Sequence, residues 1–165
     1  MFASLNLTDI EFESSMANAN YYELMQLVET QKCRHQEWRI LMHKRLEGLR
    51  VYVAKHLGVE SARYHDGERR YVELLTPDKK PFHISNDNTI TLIGNSLVVS
   101  ALMVIAIEFD GGIEPCSCLL QARHTQGTVE FKVAEKKNLW TTKQDEVTAQ
   151  IMKKIKSSLS YHPLR

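Results

Sequence analysis

The chain has 165 residues, 43% of them hydrophobic and 25% charged, which fits one globular domain of ordinary size and excludes intrinsic disorder. Lys and Arg number 21 against 20 Asp and Glu, a formal net charge of +1. That balance excludes global steering toward nucleic acid or an anionic membrane. The cysteines are Cys33, Cys116 and Cys118, an odd and small number that reads as reduced thiols in a cytoplasmic protein. Met1 to Thr8 has neither the basic start nor the apolar core of a secretory signal. The longest apolar run, Leu97 to Ile107, is too short to span a bilayer.

The first third reads as helix. Thr8-Asp9-Ile10-Glu11 has the spacing of a capping box, in which Thr and Glu each satisfy a backbone donor of the other. From there to Leu57 no proline occurs and Gly48 is the one glycine. Tyr21, Leu24, Val28, Trp38, Leu41 or Met42, Leu46, Leu49, Val53 and Leu57 recur near helical spacing. Between them Glu29 to Glu37 is almost wholly polar. Two helices joined there are favoured over one, because a helix of about 50 residues exceeds the usual globular length. Gly58 stands where a left-handed residue closes a helix.

After Gly58 the period falls to two. Arg70 to Thr76 and Lys80 to Ser85 read as paired strands around a Thr76-Pro77-Asp78-Lys79 turn. Asn86-Asp87-Asn88 is a second turn. In Thr89 to Ile93, Ile90 and Leu92 share one face. Gly94-Asn95 breaks that strand. Leu97 to Phe109 is apolar on both faces and rich in Val and Ile, as a central strand is, although a buried helix has the same periodicity. Asp110-Gly111-Gly112 ends it. Cys116 to His124 and Thr128 to Ala134 form a hairpin around Thr125-Gln126-Gly127. The final segment is a helix capped by Thr142. Asp145 and Glu146 lie in its first turn, and Lys153, Lys154 and Lys156 lie toward its end. Its stripe Val147, Ile151, Ile155, Leu159 should pack on the sheet.

The expected fold is therefore a single α+β domain over 1–165. It has an N-terminal helical region, an antiparallel β-sheet of about five to six strands and a C-terminal helix packed on the sheet. In element order the chain is similar to class I secretion chaperones, on the condition that Leu97 to Phe109 is a helix. That resemblance implies a protein-binding role.

Four constellations bear on chemistry. Glu130-Phe131-Lys132 in a short apolar strand, with Asp110 upstream, resembles the PD-(D/E)xK nucleases. There two carboxylates hold a divalent cation and the Lys activates water. The plainer account makes Glu130 and Lys132 the solvated side of an amphipathic strand. His83-Ile84-Ser85 resembles half of a two-histidine phosphoesterase signature, but His124-Thr125-Gln126 lacks the second hydroxyl. Cys116, Cys118 and His124 are three soft ligands without the fourth that a structural zinc site needs, so no metal and no cofactor is expected. Lys32, Arg34, Arg39, Lys44, Arg45 and Arg50 form a basic cluster, interspersed with Glu23, Glu29, Glu37 and Glu47. Such alternation is the pattern of a solvated helix face, and nucleic acid is disfavoured.

No glycine-rich phosphate loop and no nucleophile signature appears. Binding without catalysis is therefore the leading expectation, of the inhibitor, immunity, chaperone or adaptor kind. The partner is another protein, a second copy of the chain, or both. The contact is expected on the N-terminal helical region, through Tyr21, Tyr22, Met25, Trp38 and Met42. Consecutive apolar residues point about 100° apart on a helix, so they cannot all face the sheet. The runner-up is a metal-dependent nuclease using Asp110, Glu130 and Lys132.

Overall fold

The computed structural model describes residues 17–64, 67–83 and 89–160. The capping box at Thr8 and the turn at Asn86 to Asn88 lie outside them. Contacts divide the chain into two units, Met1–Trp38 and Arg39–Arg165.

The first helix, α1, runs without a break over Ala17–His56, so the two-helix expectation is corrected. The polar stretch Glu29 to Glu37 contains neither Gly nor Pro. Its Glu, Gln, Lys and Arg residues are good helix formers that need no burial, so nothing stops propagation. Gly58 ends the helix as expected, with φ +71°. The Gly58 amide donates to the Lys55 carbonyl (3.0 Å) and the Val59 amide to that of Ala54 (2.9 Å), the paired closure of a Schellman motif.

Within the second unit, Met42, Leu46, Leu49 and Val53 are fully buried at helical spacing. The His43 ring stacks on Phe82 with centroids 5.5 Å apart. The Arg50 guanidinium, itself buried, donates to the Val72 carbonyl at 3.3 Å. Glu47 accepts from Arg50 Nε at 2.7 Å and lies 3.4 Å from Arg70.

Among the described residues seven strands follow: β1 Arg63–Tyr64, β2 Arg69–Arg70, β3 Val72–Leu75, β4 Ile90–Ile93, β5 Ser96–Phe109, β6 Gly112–Thr125 and β7 Thr128–Val133. All pairings are antiparallel. β1 and β2 make a small ribbon, and the rest form a five-stranded sheet in which β5 pairs with β3, β4 and β6, and β6 pairs with β7. Leu97 to Phe109 is thus a strand, and the condition behind the chaperone resemblance fails. The expected strand Lys80 to Ser85 is also corrected. It contributes one bridge, Leu75 to Pro81, because proline has no amide to continue the ladder. Its last two residues lie outside those described.

Register sets the core. Val72 and Leu74 of β3, Val99, Ala101, Met103 and Ile105 of β5, Cys116, Cys118, Leu120 and Ala122 of β6, and Val129, Phe131 and Val133 of β7 alternate onto one face and are buried. Leu92, level with Leu97 at a hairpin end, is 67% exposed and lies beyond that core.

The C-terminal helix, α2, spans Gln144–Leu159 near β6 and β7. Val147, Ile151 and Ile155 are buried, whereas Leu159, the end of the expected stripe, is exposed. Lys143 holds the N-cap position, and Thr142 does not cap the helix. The Thr141 hydroxyl takes the stabilising role instead, accepting from the Lys143 amide (3.1 Å) and bonding the Glu146 carboxylate. Thr141 also exchanges both backbone hydrogen bonds with Phe131, at 2.8 and 3.0 Å, so the chain enters the helix along the edge of β7. Gln150 accepts from the Val133 amide (2.9 Å) and donates to the Leu139 carbonyl (3.0 Å), tying helix, strand and loop together.

Two stability outcomes follow. Ile151→Ala should cost about 2–5 kcal/mol by removing buried methylenes that the core cannot refill. Equilibrium denaturation measures it, and a loss below about half a kcal/mol would show that the stripe is not core. The β6–β7 turn places Gln126 (φ +50°) and Gly127 (φ +82°) both in the left-handed region, as a type I′ turn demands. Gln126→Asn should therefore stabilise by up to about 1 kcal/mol, since Asn tolerates that conformation better.

Candidate functional site

The first unit carries the clearest unassigned surface. Over about two helical turns of α1, Tyr21, Tyr22, Leu24, Met25, Leu27 and Val28 are all exposed, from 40% for Met25 to 63% for Tyr21. At 100° per residue, Tyr21, Leu24, Met25 and Val28 fall within an arc of about 100°. Glu23, Gln26, Thr30, Arg34 and Glu37 lie on the opposite side. Further along, Trp38 is half-buried and stacks on His35, with centroids 5.8 Å apart and planes inclined by 14°. Of the residues expected to bind a partner, Tyr21, Tyr22 and Met25 are thus exposed and Trp38 partly so. Met42 has no exposed surface; it belongs to the core of the second unit. Leu24, Leu27 and Val28 join the surface. The helical period marks them in the sequence once the helix is known to be continuous.

The nuclease residues do not converge. Asp110 sits in the loop joining β5 to β6, beside Gly112, whereas Glu130 lies opposite Arg123 near the other end of β6. The strand between Gly112 and Arg123 separates them by roughly 35 Å at the rise of an extended chain. One cation cannot bridge that gap. Glu130 is instead 3.4 Å from Arg123 Nε in an ion pair.

Above that pair lies an aromatic platform. Arg123 stands 4.2 Å and the Lys132 amine 5.2 Å from the centroid of the Trp140 ring. Both cations meet the electron-rich face of the indole, an attraction worth about 0.5–1 kcal/mol where partly solvated. Trp140 belongs to no periodic segment, so only the return of the chain along β7 brings it there.

Cys116 and Cys118 face the core side by side, one strand period apart. Burial pushes the Cys118 thiol up to about 12, and burial, aided by the Glu114 carboxylate, raises that of Cys116. Both are protonated at neutral pH and act as small apolar side chains, since the thiolate is the reactive and ligating form. His124 is exposed, opposite Val129. Among the described residues no group of three or more His, Cys, Asp and Glu is placed to hold a metal ion. His83 is exposed, and its companion Ser85 lies outside the described residues.

The basic cluster is not one surface. Lys32, Arg34, Lys44 and Arg45 are exposed, whereas Arg50 is turned inward onto Glu47 and Val72. Beside Arg50 lies a cleft of about 530 Å³, lined by His43, Glu47, Arg63, Arg70, Glu73 and Phe82 among others. Its arginines and glutamates balance in number, and Glu47 already holds two of the guanidiniums. Among the described residues no helix is long and apolar enough to cross a membrane.

Alkylation at neutral pH should modify the exposed Cys33 alone, with Cys116 and Cys118 reacting only on unfolding. Intact-protein mass spectrometry reads one adduct or three; rapid labelling of all three in the native state would contradict the burial described. No protein-family model, curated protein or solved structure matches this chain.

Proposed function

We propose that this chain is a protein-binding module without catalysis of its own, acting through the first half of α1. The observation that carries the reading is the exposure of six large apolar side chains between Tyr21 and Val28. Most helical stability in proteins comes from packing an apolar face. Contiguous apolar surface rimmed by charge, rich in Tyr and Met, has the make-up of an interface centre. The second unit has its own buried core, drawn from residues outside that stripe. The stripe is thus free to serve contact. Unpaired thiols suit a reducing compartment such as the cytoplasm.

Leu24→Ser combined with Val28→Ser should abolish association while the second unit stays folded. The measurement compares what the tagged wild type and the tagged variant each retain through purification, with circular dichroism and thermal unfolding as controls. Equal retention of the same species by both would overturn the reading.

A further inference from the structure

We propose that the face of the sheet opposite its buried core binds an acidic, apolar segment of another protein, whose carboxylate is received by Arg123 and Lys132 beside Trp140. This surface is separate from the stripe on α1, and the inference does not rest on the role given to that stripe.

Register places the parts. Thr141 pairs antiparallel with Phe131, and both side chains are buried. Their neighbours Trp140 and Lys132 are therefore level with each other on the opposite face of the sheet. Gln121 continues that row on β6, directly across from Lys132. Arg123, two residues along β6, shares the face and lies opposite Glu130. On the other side of the Lys132 row the face is apolar. Ala134, Leu119, Leu102 and Leu75 are level from the end of β7 across β6 and β5 to β3. All four are half-buried. They stand about 7 Å from the Lys132 row, two residues of an extended chain.

Charge names the occupant. One indole ring gathers both cations, Arg123 at 4.2 Å and Lys132 at 5.2 Å from its centroid. Glu130 is the acid paired with Arg123, and among the described residues Lys132 makes no ion pair. One positive charge is left over. Arg123 Nε is buried without a hydrogen bond. The Arg123 and Glu130 side chains are only 30% and 18% exposed, so salt screens a charge here less than on open surface. A surplus of one matches the single negative charge of a carboxylate, which a guanidinium receives in its fork. The leucine row asks for apolar neighbours on the same segment, and a small free acid has none. A single-stranded nucleic acid needs aromatic faces on which to stack, whereas the indole here already meets two cations. Glu73, beyond the leucines on β3, repels a carboxylate and directs it to the Arg123 end. Trp and Arg are also the residues most favoured at the centres of protein interfaces.

The test selects a random peptide library, displayed on phage, against the full chain. The retained sequences should be rich in Asp or Glu flanked by Leu, Ile or Val. A synthetic peptide made from them should change the fluorescence of Trp140, read in a Trp38→Phe background. It should bind Lys132→Glu and Arg123→Gln at least about tenfold more weakly, since each removes a cation that meets the carboxylate. Circular dichroism and thermal unfolding check the fold, and Lys132→Glu, at a side chain without an ion pair, keeps the test open if Arg123→Gln does not fold. Leu24→Ser with Val28→Ser should bind the peptide as the wild type does, so that this surface and the α1 stripe stand or fall separately. No retained peptide, retained peptides without acids, or undiminished binding to Lys132→Glu would overturn the proposal. Acetate alone binding as tightly as the peptide would show a small-acid site and overturn it as well.

Discussion

The constraint on which the second unit depends is the long antiparallel register of β5 and β6. Residues from Val98 to Phe109 lie level with those from Arg123 back to Gly112, without a break. A side-chain period of two then decides every facing position at once. Val99, Ala101, Met103 and Ile105 are forced onto the same side as Cys116, Cys118, Leu120 and Ala122. β3 and β4 attach to successive halves of one edge of β5, and β7 to the far edge of β6. A slip of one residue would turn the whole buried set toward solvent. The same register keeps Asp110 and Glu130 apart and makes the two strand thiols part of the core.

The helix α1 shows one type of sequence with two fates. Met42, Leu46, Leu49 and Val53 are sealed from water, while Tyr21, Leu24 and Val28, spaced in the same way, are exposed. Helical periodicity identifies an apolar stripe in both places. It does not say whether the stripe is covered by the chain's own sheet or by another molecule, because both demand the same residues at the same intervals. That difference is the basis of the functional reading.

Polar groups inside the second unit are arranged around single anchors. Arg50 gives up hydration to reach the partly exposed Glu47 and the Val72 carbonyl, and so links helix and strand. Arg123 has a similar position between Glu130 and the Trp140 ring. Its Nε lies within ion-pair distance of Glu130 but is not aligned for a hydrogen bond, so the indole face supplies much of its compensation.

Much of the fold was legible in the chain. Period-two alternation marked the hairpin of β6 and β7. Gly58 and Gly127 marked a helix end and a turn through conformations that glycine favours, and the Val147–Ile155 stripe marked the helix on the sheet. These features are local, and neighbouring residues are enough to determine them. Other features required distant residues to meet. Leu97 to Phe109 became a strand because β3, β4 and β6 supply its hydrogen bonds. Thr141 rather than Thr142 serves the last helix because β7 pairs with it. Trp140 finds Arg123 only through the return of the chain. The candidate surface divides in the same way: consecutive apolar residues on a helix selected Tyr21, Tyr22 and Met25, and burial removed Met42. Sequence determines which side chains share a face; only the tertiary structure decides which faces are covered, because coverage depends on surfaces far apart in the chain.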